Sequence, residues 1–548
     1  MNKKKKWWKE AVVYQIYPRS FNDSNGDGIG DLNGIKEKLD YLKDLGIDVI
    51  WLSPIYKSPN DDNGYDISDY YSIMEEFGTM DDFNKLLEQI HKKDMKLIMD
   101  LVINHTSDEH QWFKRSAKDK NNKYSDYYIW RDPVDGEPPN NWESRFSGSA
   151  WTYCESRDQY YLHLFSKKQP DLNWENQNVK NDIFKMIDWW LAKGIDGFRM
   201  DVINFIAKER GLPDSIRPDS PEKWSSLPKS HEILNKLRKE VIDNYNVMTV
   251  GETPFVTPKD GHKYVNNSRD ELDMIFHFEH VDLNDFNDKN FIKFKDIQSK
   301  WYKVQEKGGW LSQYFANHDQ PRPISKFFND NQYREESAKL IAMMLLTLPG
   351  TPYIYQGEEI GMTNVDFNSI EEYNDIRTIN KYYDLLNKNQ NVDDFFNNIK
   401  QLSRDNARTP MQWSNNKYAG FSDTKPWLKI NPNYNKINVE NNLDDSNSVY
   451  HFYKKLIKYR KQNKGLIYGD YKDLLKLDKE LYYFKKTFQE KEFYVILNFT
   501  DKIIDLEEKK VKFNYTQLEL CNYNNHNEYN EKKLQPYEAR LYKLKNEL

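Results

Sequence analysis

The chain has 548 residues, enough for a large core, and a formal net charge of −6 with a pI near 6.1, so no general field attracts nucleic acid or anionic lipid. There is no run of about 18 apolar residues to span a membrane, and Trp7 and Trp8 follow Lys3–Lys6 where a secretory leader would need an apolar stretch. The two cysteines, Cys154 and Cys521, exclude a disulfide framework and a thiolate metal cluster, so a monomeric cytoplasmic protein with no membrane or nucleic-acid partner is expected.

In chain order, Val12–Pro18 reads as a strand and Gly34–Gly46 as a helix with Ile35, Leu39, Leu42 and Leu45 on one stripe. Between them, Asp23, Asn25, Asp27, Ile29 and Asp31 alternate with small residues. Side-chain oxygens at alternate positions, with Ile29 offering its carbonyl and glycines allowing a tight turn, are what a hard cation requires. A structural Ca2+ or Mg2+ is expected there; the alternative is an Asx-rich turn, and Gly34 stands where an EF-hand would place its glutamate.

Strand patterns continue at Val49–Pro54, Lys96–His105, Gly197–Val202, Val247–Thr253, Asp273–His280, Leu311–Asp319 and Pro352–Gln356. Helical patterns intervene at Met80–Lys93, Val179–Lys193, Ser230–Asp243, Phe291–Val304 and Glu335–Leu348, and Val449–Gln462 closes the series. Alternation forces parallel strands, and eight units predict an α/β fold, a closed (β/α)8 TIM barrel, from 1–105 and 175–468. Residues 106–174 form an inserted subdomain after the third strand, and a second long insertion follows the eighth, from Gly357 to near Asn447. From 469 to 548, alternating runs such as Leu481–Phe488, Glu492–Phe499 and Ala539–Leu544 predict a C-terminal antiparallel β-sandwich domain.

Polar residues fall where a barrel keeps its chemistry. Asp100, Asn104 and His105 close the third strand, Arg199 and Asp201 the fourth, Glu252 the fifth, and His318 and Asp319 the seventh. Arg199 and Asp201 point the same way on a strand, and an arginine beside an aspartate favours its ionised form. A structural ion pair is the simpler reading of that pair alone. Three carboxylates converging with arginine and histidine, and no metal-ligating pattern beside them, fit glycosidic cleavage, with Asp201 as nucleophile and Glu252, in an apolar run, holding the proton.

The runs Asp-Leu-Val-Ile-Asn-His at 100–105, Gly-Phe-Arg-Met-Asp at 197–201, Val-Gly-Glu at 250–252 and Asn-His-Asp at 317–319 resemble the four motifs of the α-amylase family of glycoside hydrolases. The resemblance implies a retaining mechanism with Asp201 as nucleophile, Glu252 as acid/base and Asp319 as transition-state stabiliser, while His105, Arg199 and His318 match ligands of the glucose being cleaved. Gln-Pro-Asp-Leu-Asn-Trp at 169–174 is similar to the fifth motif of the oligo-1,6-glucosidase branch, where comparable loops to 23–31 bind calcium or magnesium. Within that branch Asp62, Tyr65 and Arg408 match residues closing the non-reducing end of the pocket, and Phe165 and Gln169 are further substrate-contact candidates. Val202 matches a position where relatives cleaving α-1,6 bonds carry valine. What this implies is an exo-acting α-glucosidase releasing α-glucose from isomaltose and related oligosaccharides. The alternatives are a trehalose-6-phosphate hydrolase, which would need cations such as Lys208, Arg210 or Lys263 at the pocket mouth, an α-1,4 maltase, or a sucrose isomerase, whose arginine-bearing loop is absent at Val281–Asn287.

Overall fold

The structure is a computed structural model that describes residues 6–266, 268–511, 516–523 and 530–544. Its centre is an 8-stranded sheet of parallel strands. In chain order these are Val13–Ile16, Val49–Leu52, Lys96–Leu101, Gly197–Met200, Met248–Glu252, Met274–Phe276, Ser312–Gln313 and Thr351–Tyr355. The ladder runs from sixth to first and then through eighth to seventh. Side chains close the remaining gap: Ser312 Oγ donates to Ile275 O at 2.6 Å and Tyr314 Oη to His277 O at 2.8 Å.

Period-two alternation divides each strand between two cores. Val13, Val49, Trp51, Ile98, Val250, Met274, Phe276 and Tyr353 fill the inside of the barrel, whereas Tyr14, Ile50, Leu97, Phe198, Met200 and Ile275 pack outward under the helices.

Three elements depart from the sequence reading. The first helix is two, Leu32–Glu37 and Leu39–Leu45, and begins early because Asp31 Oδ1 accepts from Gly34 N at 2.8 Å and caps it. A helix at Pro258–Val265, not foreseen, supplies the unit after the fifth strand. Gly261 interrupts its apolar period and is required there, since a Cβ would lie 2.4 Å from the Trp301 ring. The seventh strand stops at Gln313, and Asn317 Oδ1 accepting from Asp319 N at 2.8 Å turns the chain, so His318 and Asp319 lie on a loop.

The insertion after the third strand carries a 3-stranded sheet of Trp130–Arg131, Gln159–Leu162 and Trp151–Cys154. Its core, Ile129, Trp142, Trp151 and Leu164, continues into Val202, Phe205 and Trp224 of the loop after the fourth strand. At the C-terminus a 5-stranded antiparallel sheet buries Tyr482, Phe484, Phe493, Val495, Leu497 and Leu541 in the barrel's outer core. Its other face is covered by the ribbon Ile504–Asp505 with Lys533–Leu534, completing the sandwich. Lys295, on the barrel helix Asp288–Glu306, donates to Leu475 O at 2.8 Å and Leu481 O at 3.1 Å, tying helix to sheet.

Gly197 opens the fourth strand at φ +143°, and a Cβ there would sit 1.9 Å from Met248 O on the fifth. Gly197→Ala is therefore expected to cost on the order of 2–4 kcal/mol by forcing two ladder strands apart. The urea midpoint measures it; an unchanged midpoint would contradict the packing described.

Candidate active site

Alternation sets Asp100 and Arg199 side by side on the inner barrel face, where the register pairs them directly, and Val250 beside Arg199 places Glu252 one step nearer the strand ends. Arg199 is 1% exposed. Its Nη1 donates to Asp100 Oδ1 at 2.7 Å and to Asp201 Oδ1 at 2.8 Å, and its Nη2 lies 2.7 Å from Glu252 Oε2. One cation thus serves three buried carboxylates.

Burial pushes the Asp201 carboxyl well above the usual range; Arg199 opposes this, while Glu252 and Asp100 add to it. Burial likewise raises Asp100 to about 6 against the pull of Arg199. This corrects the expectation that Arg199 alone keeps Asp201 ionised. Full ionisation would leave two uncompensated negative charges out of water, so the cluster retains a proton.

Val202 follows at φ +32° and ψ +43°, a left-handed conformation that a β-branched side chain rarely adopts. The twist turns its amide toward Glu252, and Val202 N donates to Glu252 Oε2 at 3.2 Å. Its side chain lines the cavity beside Phe165 and Phe205.

A second guanidinium repeats the arrangement. Arg404 Nη1 lies 3.2 Å from Asp319 Oδ1, and its Nη2 lies 3.4 Å from Asp62 Oδ1 and 2.6 Å from Asp375 Oδ1. Burial would raise Asp319, but His318, Arg404, Arg408 and Arg199 together hold it well below the usual carboxylate range. Asp62, with fewer compensating charges, is pushed up by burial to about 7. Arg408, expected at the pocket wall, is 1% exposed and sits behind Asp319, donating from Nη2 to its Oδ1 at 2.7 Å. Arg404 takes the cavity position instead. Neither Arg404 nor Asp375 was foreseen, because the long insertion has no period to set their register; the only signal was an arginine four residues before Arg408.

His318 is clasped between Tyr65, stacked at 5.2 Å, and Tyr17, at 5.9 Å. Burial lowers it to about 3, so the ring is neutral. Its Nδ1 accepts from Gln15 Nε2 at 2.8 Å, which leaves the proton on Nε2, a buried atom without a protein partner. Tyr65 Oη donates to Asp100 Oδ2 at 2.9 Å. His105, lowered by burial to about 4, has Nε2 3.1 Å from Tyr65 O and 3.2 Å from Gln169 Nε2, and Gln169 donates to Asp62 Oδ2 at 3.2 Å. Gln169 is fully buried and acts behind the wall, whereas Asp62, Tyr65, His105 and Phe165 line the cavity with the three candidate acids.

The cations suggested for a phosphate do not gather at this mouth. Lys208 is buried 2.7 Å from Asp171, Lys263 pairs with Asp260 at 2.8 Å, and Arg210 lines a separate hollow. Arg145 and Arg377 occupy the mouth, near Asp282.

In the 23–31 loop, Asp23 Oδ1 accepts from Asn25 N at 3.0 Å, Asn25 Oδ1 from Asp27 N at 2.9 Å and Asp27 Oδ1 from Ile29 N at 2.8 Å, a run of Asx-turns. Asp31 is turned inward as the helix cap and bound to Ser24. Among the described residues no three His, Cys, Asp or Glu side chains group as a metal site. The all-oxygen donor set suits a hard cation through its remaining lone pairs, with Asn25 and Asp27 exposed, each accepting one backbone hydrogen bond, and both carboxylate oxygens of Asp23 and Asp31 engaged. The loop is also stitched to the late insertion: Ser422 Oγ donates to Asp23 Oδ2 at 2.6 Å and Thr424 Oγ1 to Gly26 O at 2.9 Å.

The family profile for the Alpha amylase, catalytic domain, matches residues 15–469. An oligo-1,6-glucosidase of Parageobacillus thermoglucosidasius is 53% identical, over 98% of this chain and 99% of its own, and one of Bacillus cereus is 52% identical, over 99% and 100%. Among solved structures, a trehalose-6-phosphate hydrolase of Bacillus licheniformis superposes with a TM-score of 0.92 at 45% identity, covering 98% of this chain and 100% of that one. A catalytic-domain match over most of the length, on a barrel whose rim gathers Asp201, Glu252 and Asp319, means that this chain belongs to the α-amylase family of glycoside hydrolases.

Proposed function

We propose that the protein is an exo-acting, retaining α-glucosidase that hydrolyses α-1,6-glucosidic bonds of isomaltose, isomalto-oligosaccharides and panose-like dextrins and releases α-glucose. The observation that carries this is a single cavity lined by Asp201, Glu252 and Asp319 together with the paired, buried Asp62 and Arg404, which we take to close it behind one glucose. A pocket closed behind one glucose admits only chain ends. Support for the α-1,6 linkage comes from the relatives named oligo-1,6-glucosidase and from Val202, which crowds the space beside Glu252 where the second sugar must enter.

In this mechanism an Asp201 oxygen bonds to the anomeric carbon as its bond to the leaving oxygen breaks, and that oxygen takes the proton of Glu252. Water then gives a proton to Glu252, bonds to the anomeric carbon and expels Asp201, restoring the α configuration. Asp319, fixed as an anion by Arg404 and Arg408, stabilises positive charge on the ring, and the Nε2–H of His318 donates to a hydroxyl of the bound glucose. Both cysteines are free, which suits a reducing compartment, and on that ground we place the enzyme in the cytoplasm. No helix among the described residues is long and apolar enough to cross a membrane. For the 23–31 loop we propose a structural Ca2+ or Mg2+ held by Asp23, Asn25, Asp27 and the Ile29 carbonyl, with Asp31 contributing only through its remaining lone pairs.

The kcat/KM values on isomaltose, maltose and trehalose 6-phosphate test the reading. Isomaltose should lead; trehalose 6-phosphate leading would instead make Arg145 and Arg377 a phosphate site. Asp201→Asn should reduce turnover by roughly 10⁴-fold or more with the fold intact, and a near-normal rate would remove Asp201 as nucleophile. The pH profile of kcat/KM should be bell-shaped. Asp201 must be ionised to attack, so it sets the acid limb; Asp100 raises Asp201, so Asp100→Asn should move the acid limb to lower pH, and a shift upward would contradict the shared-proton cluster. Adding Ca2+ after EDTA treatment should raise Tm with little change in kcat, and the absence of any shift with Ca2+ or Mg2+ counts against the ion.

A further inference from the structure

We propose that Phe255 is the platform on which the leaving-group sugar stacks, so that it favours substrates with a sugar leaving group without taking part in bond cleavage. The inference rests on the α-glucosidase reading above and names a residue of its acceptor side.

Phe255 stands three positions after Glu252 in a turn closed by Val256 N donating to Thr253 O at 3.4 Å, with Pro254 at the second position. Asn204 Nδ2 donates to Pro254 O at 2.8 Å and pins the turn to the loop after the fourth strand. Phe255 occupies the third position at φ +65°, where a turn led by proline normally places glycine or asparagine. A bulky side chain is strained in this conformation. The ring is also 47% exposed, so packing does not explain why the strain is kept.

What the ring faces does explain it. Phe255 lines the same cavity as Asp201, Val202 and Glu252. It is held from behind by Phe205, stacked at 6.2 Å and 16°, and by the edge of Trp224 at 6.0 Å, while the Arg145 guanidinium lies 5.0 Å from its centroid. Phe205 and Trp224 belong to the apolar cluster that contains Val202, whereas Asp62 and Arg404 belong to the ion-pair cluster of Asp319 and Asp375. The exposed part of a fixed, flat ring matches the C–H face of a pyranose, and Arg145, over the ring, and Asp282, on the same cavity lining, offer a donor and an acceptor to its hydroxyls.

The test compares Phe255→Gly, Phe255→Leu and Phe255→Tyr on α-glucosyl fluoride, isomaltose and isomaltotriose. The fluoride fills only the closed end and reports bond cleavage alone. Glycine, which suits the turn, and leucine, which keeps apolar bulk without a ring, should each lower kcat/KM on isomaltose and isomaltotriose by about tenfold while the fluoride rate stays within about twofold. Tyrosine should retain the isomaltotriose rate. An equal loss on the fluoride, or no loss on isomaltotriose in the glycine and leucine variants, overturns the proposal. If the wild type prefers maltose, the linkage reading fails by itself, and Phe255 is judged on maltotriose against the fluoride by the same criteria.

Discussion

Two guanidiniums make this active site possible. Arg199 gathers Asp100, Asp201 and Glu252, and Arg404 gathers Asp62, Asp319 and Asp375, so six carboxylates share one rim around two bridging cations. Desolvating so many acids would be prohibitive without opposite charge at hydrogen-bond distance. The two clusters are not equivalent. Arg408 reinforces the second and keeps Asp319 a firm anion, whereas the first is left short of positive charge and holds on to a proton. One proton shared among Asp100, Asp201 and Glu252 allows an acid and an ionised nucleophile to coexist in the first cluster, while the fixed anion of the second is free to stabilise charge on the sugar.

The barrel contributes rigidity where charge must be fixed and leaves adaptability to the loops. Asp100, Arg199 and Glu252 project from ladder strands whose register allows them one arrangement. Asp319, Arg404 and Phe255 come from irregular segments, each anchored by its own contacts: an Asx turn, an ion-pair cluster and a proline-led turn. Left-handed backbone stands on both sides of Glu252, at Val202 and Phe255, where it directs one side chain and exposes another.

Legibility in the sequence followed the same division. Strand alternation exposed the barrel and the Arg199 cluster, because a period of two fixes both the face and the end on which a residue lies. Family motifs extend this to His105, His318 and Asp319, although the seventh strand is shorter than its pattern, since apolar residues continue past Gln313 without pairing. The helix at Pro258–Val265 was hidden by Gly261, whose role is contact with Trp301 and not helix formation. Arg404 and Asp375 were invisible because a long insertion carries no repeat from which to infer facing, and Arg408 was read as a wall residue when its contacts put it one layer deeper. Phe255 was overlooked since a lone aromatic after proline carries no distinctive pattern until its dihedral angle is known.

The C-terminal sheet has a consequence for how the chain is made. Its inner face completes the outer core of the barrel, and Lys295 reaches across to its carbonyls, so the barrel helices stay partly uncovered until the last strand, Ala539–Leu544, has been synthesised. A ribosome adding roughly 5–20 residues per second needs several seconds to pass from the end of the barrel to that strand. During this interval an apolar face that will later be buried is open to solvent, and the nascent chain depends on chaperones or on rapid docking to escape aggregation.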